Sequence, residues 1–304
     1  MNEYINLNKD LNLNLIKKEV EEKGYFSVES FFNDEFLKQV ESDATNSKFS
    51  LNQNSLLGFF YETQYYFINL LAQSNVFYNF CTSKFVLNIC KNYLGKNFRL
   101  KALRYYETMS GHNMKWHTDN KIEKEKKNIP GLIFIIYISD VNKGEFQYIE
   151  GSHKSSGIDK YSEYSEQFIN EKYSNLIKTF SMPKGSLIIY DSYGIHRAKP
   201  FKNSNFVRKS IFFQVDSNVE NSEKIIVNTN FLTDVSDDIR MYLGFGKKSD
   251  YFVYPDTNLN RLPISKNNFK TIFSWFLYRI TKFLTRTEPR NIRNILSKIK
   301  LKFK

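Results

Sequence analysis

The amino-acid sequence predicts an all-β core with flanking helices: a β-sandwich or barrel covered by helices on one side. Three features point there. Apolar residues recur at helical spacing through residues 1–97, short β-type runs separated by turn signals fill residues 98–235, and no internal repeat links the two regions. A chain of 304 residues is long enough for such a unit with an appendage.

Residues 10–45 are expected to be helical, broken by one extended piece, Gly24-Tyr25-Phe26-Ser27-Val28. Residues 55–95 carry Phe59, Phe60, Tyr66, Phe67, Leu70, Leu71, Phe77 and Phe80 at helix-like steps and are expected to continue the helical layer. Strand runs follow at Phe98–Met109, Leu132–Asp140, Glu145–Glu150, Ser186–Asp191, Phe206–Val215 and Lys224–Val227. Ser110-Gly111, Asn142-Lys143-Gly144, Glu150-Gly151-Ser152 and Pro183-Lys184-Gly185 punctuate them. A polar, helical insertion is expected at 155–180, and residues 236–265 give no clear pattern.

Apolar residues at 41% and charged residues at 25% match an ordinary globular protein and exclude a disordered chain. No apolar run reaches eighteen residues, which argues against a membrane-spanning helix. The polar opening Met1–Asn6 lacks the basic and apolar regions of a secretory signal, so a cytoplasmic location is expected. Cys81 and Cys90 alone make neither a disulfide framework nor a zinc cluster and are read as reduced and buried.

The net charge of +12 is concentrated at one end. Residues 261–304 hold twelve Lys or Arg and one acid, Glu288, a net of +11 that leaves +1 for residues 1–260. The expected division is therefore a body at 1–260 and a basic amphipathic tail at 261–304. Phe269, Ile272, Phe273, Phe276, Ile280, Phe283 and Leu284 form one apolar stripe. After Glu288-Pro289, Ile292, Ile295, Leu296, Ile299 and Phe303 form a second, set among lysines and arginines. Such helices dock on the body, lie on an anionic membrane or contact phosphates. Peripheral membrane contact through 269–304 is the favoured reading.

Four histidines occur: His112, His117, His153 and His196. In Trp116-His117-Thr118-Asp119, alternate residues of an extended segment face the same way, which aims His117 and Asp119 at one point. Seventy-nine residues after His117, the run Ser186–Asp191 leads through Ser192-Tyr193-Gly194-Ile195 to His196. Two His and one carboxylate on neighbouring strands suit a non-haem Fe(II) site that keeps positions open for a co-substrate and O2. His-x-Asp alone is a weak signal. Arg208, twelve residues past His196, strengthens it, because a guanidinium in the apolar run Phe206–Phe213 is costly to bury without an anion. A dicarboxylate co-substrate would fit its fork, with Ser210 on the same face to donate a further hydrogen bond.

At these positions the chain resembles the phytanoyl-CoA dioxygenase family of Fe(II)/2-oxoglutarate oxygenases, over about residues 15–215. Gly24–Val28 resembles the family's N-terminal entry and His117-Thr118-Asp119 its metal motif. Gly144-Glu145-Phe146 and Glu150-Gly151-Ser152-His153 are similar to its hairpin, with Glu150 where Pro is usual. Gly185–Asp191 with His196 resembles the strand bearing the distal ligand, and Arg208 falls within a residue of the family's 2-oxoglutarate arginine. The resemblance implies a double-stranded β-helix, a jelly roll or cupin-like barrel with the metal in its mouth. It implies His117, Asp119 and His196 as Fe(II) ligands, and Arg208, Ser210 and Thr118 at the 2-oxoglutarate. The implied reaction consumes O2, releases succinate and CO2, and hydroxylates a small-molecule or carrier- or lipid-linked substrate. Related halogenases place Ala or Gly where Asp119 stands, so the carboxylate favours hydroxylation.

The remaining candidates have plainer readings. His153 is read as a turn-stabilising residue and His112 as a loop residue. Tyr105 and Tyr106, beside Arg104, are read as core, with room for one to line the pocket. Arg197 meets either substrate or a surface acid. Lys121–Lys127 is read as a solvated loop whose place after the metal motif leaves room for a lid role. Two rival classes are a metal-free jelly roll serving as a binding module and a nucleic-acid oxygenase anchored by its tail. The intact residue set speaks against the first and the near-neutral body against the second, so no nucleic-acid partner is expected.

Overall fold

The layering follows from strands whose two faces are both buried, against different partners. The computed structural model describes residues 4, 11–46, 59–61, 63–119, 130–154, 163–202, 204–220, 222–233 and 235–249. The strands are β1 (Tyr25–Val28), β2 (Phe59–Tyr61), β3 (Gln64–Phe67), β4 (Arg99–Thr108), β5 (Gly131–Tyr137), β6 (Val141–Ile149), β7 (Ile177–Met182), β8 (Leu187–Asp191), β9 (His196–Ala198) and β10 (Arg208–Asp216). All pairings are antiparallel. Seven strands make one sheet in the order β1-β8-β5-β10-β4-β3-β2, and three make a second in the order β7-β6-β9. The core is a jelly-roll pair of sheets with flanking helices, open along its edges and not a closed barrel.

Helices cover the outer face of the larger sheet. Helix α1 (Leu13–Lys23) starts at Asn12, whose side chain accepts hydrogen bonds from the backbone N–H of Asn14 at 2.9 Å and Leu15 at 3.4 Å. It stops at Gly24, which takes a left-handed φ of 92° and turns the chain into β1. A Cβ there would lie 2.3 Å from the Tyr148 hydroxyl, so glycine is required on two counts. Helix α2 (Asp34–Asn46) follows, then α3 (Leu70–Gln73), α4 (Asn75–Cys81) and α5 (Lys84–Leu94). Ser74 and Ser83 cap the last two through their hydroxyls. Leu103, Tyr105, Phe134, Ile136, Ile211 and Phe213 of the sheet join residues of these helices in one core. The opposite parity of the same strands, including Ile133, Ile135, Tyr137, Ile188 and Tyr190, packs against Phe146, Tyr148, Phe180 and Met182 of the smaller sheet.

Several expectations change. Residues 59–61 and 64–67 are strands, not helix; all of 64–67 is buried, with Tyr65 and Phe67 in the helix-side core and Gln64 and Tyr66 lining the cavity between the sheets. Burial on both faces hides a period of two inside an aromatic run. The insertion at 155–180 does contain a helix, α6 (Glu166–Tyr173), but ends in strand β7. Lys224–Val227 forms no ladder. The patternless stretch 236–265 contains a short helix, α7 (Asp237–Leu243), capped by the Ser236 hydroxyl with Asp237 and Asp238 in its first turn. Cys81 and Cys90 are free and buried, and burial pushes the Cys81 thiol up to about 12. The Lys121–Lys127 run and both tail stripes lie outside the described residues. No helix among the described residues is long and apolar enough to cross a membrane.

Phe213 sits at the junction of sheet and helices. Its ring stacks on Phe134 at 4.5 Å and meets Phe77 and Phe80 edge-on at 6.0 and 6.4 Å. Phe213→Ala is expected to destabilise the fold by about 3–5 kcal/mol, read as a lower urea midpoint.

Candidate metal and co-substrate site

Backbone pairing sets the site. The N–H of His117 donates to the carbonyl of His196 at 3.0 Å, and that of His196 returns to the carbonyl of His117 at 2.9 Å. The Asp119 N–H donates to the Ser192 carbonyl at 3.2 Å, so the His-x-Asp segment is tied at one end to the start of β9 and at the other to the turn between β8 and β9. Three side chains converge as a result. Asp119 Oδ2 lies 3.1 Å from His196 Nε2, Asp119 Oδ1 lies 3.9 Å from His117 Nε2, and one ligand atom from each residue falls within 4.8 Å of the others.

The far nitrogen of each ring is engaged. His117 Nδ1 is 2.8 Å from the Lys115 carbonyl and His196 Nδ1 is 3.0 Å from the Gly194 carbonyl. A carbonyl only accepts, so both Nδ1 atoms carry the hydrogen and each Nε2 is turned toward Asp119. Burial, then the nearby His196, lowers the pKa of His117. Burial alone would raise the Asp119 carboxyl, but the facing His196 and His117 overcome it and hold Asp119 at about 2. The Tyr190 hydroxyl completes the cluster, 3.3 Å from Asp119 Oδ2 and 3.4 Å from His196 Nε2.

These groups open onto a cavity of about 330 Å³ that also holds Thr118, Arg208 and Ser210, so one cavity unites every expected site residue. Arg208 is only 4% exposed. Its guanidinium donates to the Gly144 carbonyl and, at 3.3 Å, to Thr108 Oγ1, while its Nε has no acceptor among the described residues. No carboxylate pairs with it among the described residues, and Ser210 stands beside it on the same strand, across from Tyr106. Three convergent N, N and O donors with a buried, under-satisfied guanidinium in the same cavity fit a divalent iron and a dicarboxylate.

Other candidates fall where the plainer readings put them. The Nε2 of His153 lies 3.1 Å from the Glu21 carbonyl, tying the hairpin to α1 away from the cavity. His112 meets the Thr63 hydroxyl at 3.2 Å, and burial followed by the Arg208 charge lowers it to about 4. Arg197 takes the surface acid: it grips both carboxylate oxygens of Glu166 on α6 and lies 4.3 Å over the Trp116 ring. Tyr106 lines the cavity and Tyr105 belongs to the helix-side core. Sequence reasoning missed Tyr190, Thr108, Gln64 and Tyr66. The signal was available for Thr108, which pairs across from Arg208 in the β4–β10 register. Gln64 Nε2 donates to Thr108 Oγ1 at 2.9 Å, and Tyr66 in turn donates to Gln64.

Fold and site together define a jelly-roll oxygenase of the non-haem iron, 2-oxoglutarate-dependent class. The model of the phytanoyl-CoA dioxygenase (PhyH) family matches residues 20–210, and the chain belongs to that family. Among solved structures it resembles HygX from Streptomyces hygroscopicus with nickel, 2-oxoglutarate and hygromycin B bound, at 12% identity and a TM-score of 0.55, over 77% of this chain and 96% of that one. It resembles the epimerase SnoN in complex with Fe3+, alpha ketoglutarate and nogalamycin RO at 13% identity and 0.52, over 74% and 90%. The carbocyclase SnoK from nogalamycin biosynthesis matches at 11% identity and 0.52, over 69% and 85%. A comparison with curated proteins finds no match.

Gly194 supplies the carbonyl that orients His196, and a Cβ at this position would lie 1.8 Å from the Tyr148 hydroxyl. Gly194→Ala is therefore expected to weaken metal binding by roughly 10–100-fold with all three ligands intact, measured by anaerobic Fe(II) titration.

Proposed function

We propose that His117, Asp119 and His196 hold Fe(II), that Arg208, Ser210 and Thr118 receive 2-oxoglutarate, and that the chain hydroxylates a small molecule with release of succinate and CO2. One observation carries this reading: three ligand atoms within 4.8 Å share a cavity with a buried guanidinium whose Nε has no acceptor among the described residues. Bound iron supplies O2 activation coupled to decarboxylation of 2-oxoglutarate. The chain's own residues do the positioning. Lys115 and Gly194 carbonyls fix the two imidazoles with their Nε2 lone pairs inward. Tyr190 donates to Asp119 Oδ2 and steadies the carboxylate between the two imidazoles. Arg208 presents its remaining donor edge to the distal carboxylate, with the Ser210 hydroxyl beside it. HygX with hygromycin B and SnoN with nogalamycin RO support a small-molecule substrate.

We assign residues 261–304 a peripheral membrane role that brings the body to a carrier- or lipid-linked substrate. Their net charge of +11 supports attraction to an anionic surface. In vesicle flotation, the full chain is expected to float with phosphatidylserine-containing vesicles and not with neutral ones. A protein ending at residue 260 that floats equally well would end this assignment.

The site assignment predicts a weak visible charge-transfer band when Fe(II) and 2-oxoglutarate are both added anaerobically. His117→Ala is expected to abolish the band. Arg208→Ala should raise the 2-oxoglutarate concentration needed to form it by about 10–100-fold, the scale of a lost charge-assisted hydrogen-bond pair. No band from correctly folded protein would refute the assignment.

A further inference from the structure

On the function proposed above, the metal and co-substrate leave part of the cavity over. On β4 and β10, Arg208 pairs with Thr108, Ser210 with Tyr106, and Phe212 with Arg104. Arg208 and Arg104 therefore stand about 13 Å apart along the strands, four residues at about 3.3 Å each. The Tyr106 rung lies between them, and its phenol feels the charges of Arg208, Arg104 and Asp119 together. A co-substrate reaching from the metal ligands to Arg208 occupies one side of this rung. The other side belongs to the substrate.

That side has a built wall. Arg104 forms an ion pair with Glu223, their side chains 10% and 18% exposed, and its guanidinium lies 5.3 Å over the Phe212 ring. Both line the cavity, together with Gln214 and Ala102. Glu223 arrives on the segment after β10, which is fastened in place. Arg99 donates to the carbonyls of Val219 and Glu220, Lys101 Nζ to that of Asn218, and the Glu223 N–H to that of Lys101.

We infer that Arg104 and Glu223 together recognise an uncharged, polyhydroxylated substrate moiety, a sugar or cyclitol ring. Charge accounting supports this. Arg104 cancels Glu223, Arg197 cancels Glu166, Asp119 cancels Arg208, and a divalent metal cancels the 2-oxoglutarate dianion. Among the described lining residues no net charge is left over to select an ionic substrate. An anionic group would have to displace Glu223 from Arg104 and strand a carboxylate in a half-dry wall. A hydrocarbon chain would strip water from both ends of the ion pair and return no hydrogen bond. Hydroxyl groups both donate and accept, so neighbouring hydroxyls bridge to the Glu223 carboxylate and the Arg104 fork without separating them.

The test is saturation-transfer NMR on the full chain with Zn(II) and saturating 2-oxoglutarate, a diamagnetic complex inert to O2. The probes are methyl glycosides, inositols and nucleosides, then fatty acyl thioesters, then carboxylic and sulfonic acids without hydroxyl groups. Transfer is expected to members of the first set alone, and Glu223→Gln and Arg104→Gln should each weaken that binding by about tenfold. Three results would overturn the inference: no transfer to any hydroxylated probe, stronger transfer to the acyl or acid sets, or a hydroxylated binder indifferent to both substitutions. The Fe(II)/2-oxoglutarate band of the unaltered protein separates the two levels. With the band present, such a result removes only the substrate assignment; without the band, the underlying site assignment fails first.

Discussion

Alternation along a strand with two buried faces is the constraint on which the rest of this structure depends. The larger sheet is covered by helices on one side and by the smaller sheet on the other, so successive residues of one strand must satisfy opposite surroundings. On β4, Leu103 and Tyr105 meet the helices while Arg104, Tyr106 and Thr108 face the cavity. On β10, Ile211 and Phe213 meet the helices while Arg208, Ser210 and Phe212 face the cavity. A slip of one residue would drive two arginines into the aromatic core, which fixes the register more firmly than any single contact. The cavity-facing polar groups are tolerated because they bind one another: Tyr66 to Gln64, Gln64 to Thr108, Arg208 to Thr108, and Arg104 to Glu223.

The metal corner adds a second constraint, on how closely two segments approach. The reciprocal His117–His196 backbone pair holds the rings with centroids 4.4 Å apart, close enough for one ion to touch both. Tyr148 makes that approach possible by filling the space behind it. Its hydroxyl is crowded by Gly24 on one side and Gly194 on the other, so neither position has room for a side chain. The turn that carries His196 is therefore packed against the entry from α1 into β1. Residues at opposite ends of the family-matched segment hold His196 in place.

Legibility of this fold in the sequence tracked how sharply each residue's environment differs from its neighbours'. His117, Asp119, His196 and Arg208 stood out because a charged or ligating group in a strand-like run has few uses. The helices α1, α4 and α5 were legible through apolar residues at helical spacing over 10–45 and 55–95. Residues 64–67 were misread because burial on both strand faces erases the contrast that a period of two needs. Strand β7 was hidden in a polar stretch in which only Phe180 and Met182 are buried. Glu223 carried no signal at all. Its role depends on a loop returning to Arg104 across 119 residues of sequence, which no local pattern encodes.

Arg208 shows why a fold accepts a defect at its working site. The guanidinium is withdrawn from water with two of its donors engaged and its Nε without an acceptor among the described residues. An unmade hydrogen bond of this kind costs about 1–3 kcal/mol, a load that the two flanking cores are large enough to carry. The same load favours binding. On the function proposed above, desolvation of the cation is complete before a carboxylate arrives, and the strand holds its fork in one orientation, so the incoming anion would gain the charge-assisted bonds without much ordering cost on the protein side. Thr108 and Gly144 make this workable because they hold the guanidinium through neutral acceptors. A carboxylate in their place would have satisfied Arg208 fully, and would have closed the site to any dicarboxylate.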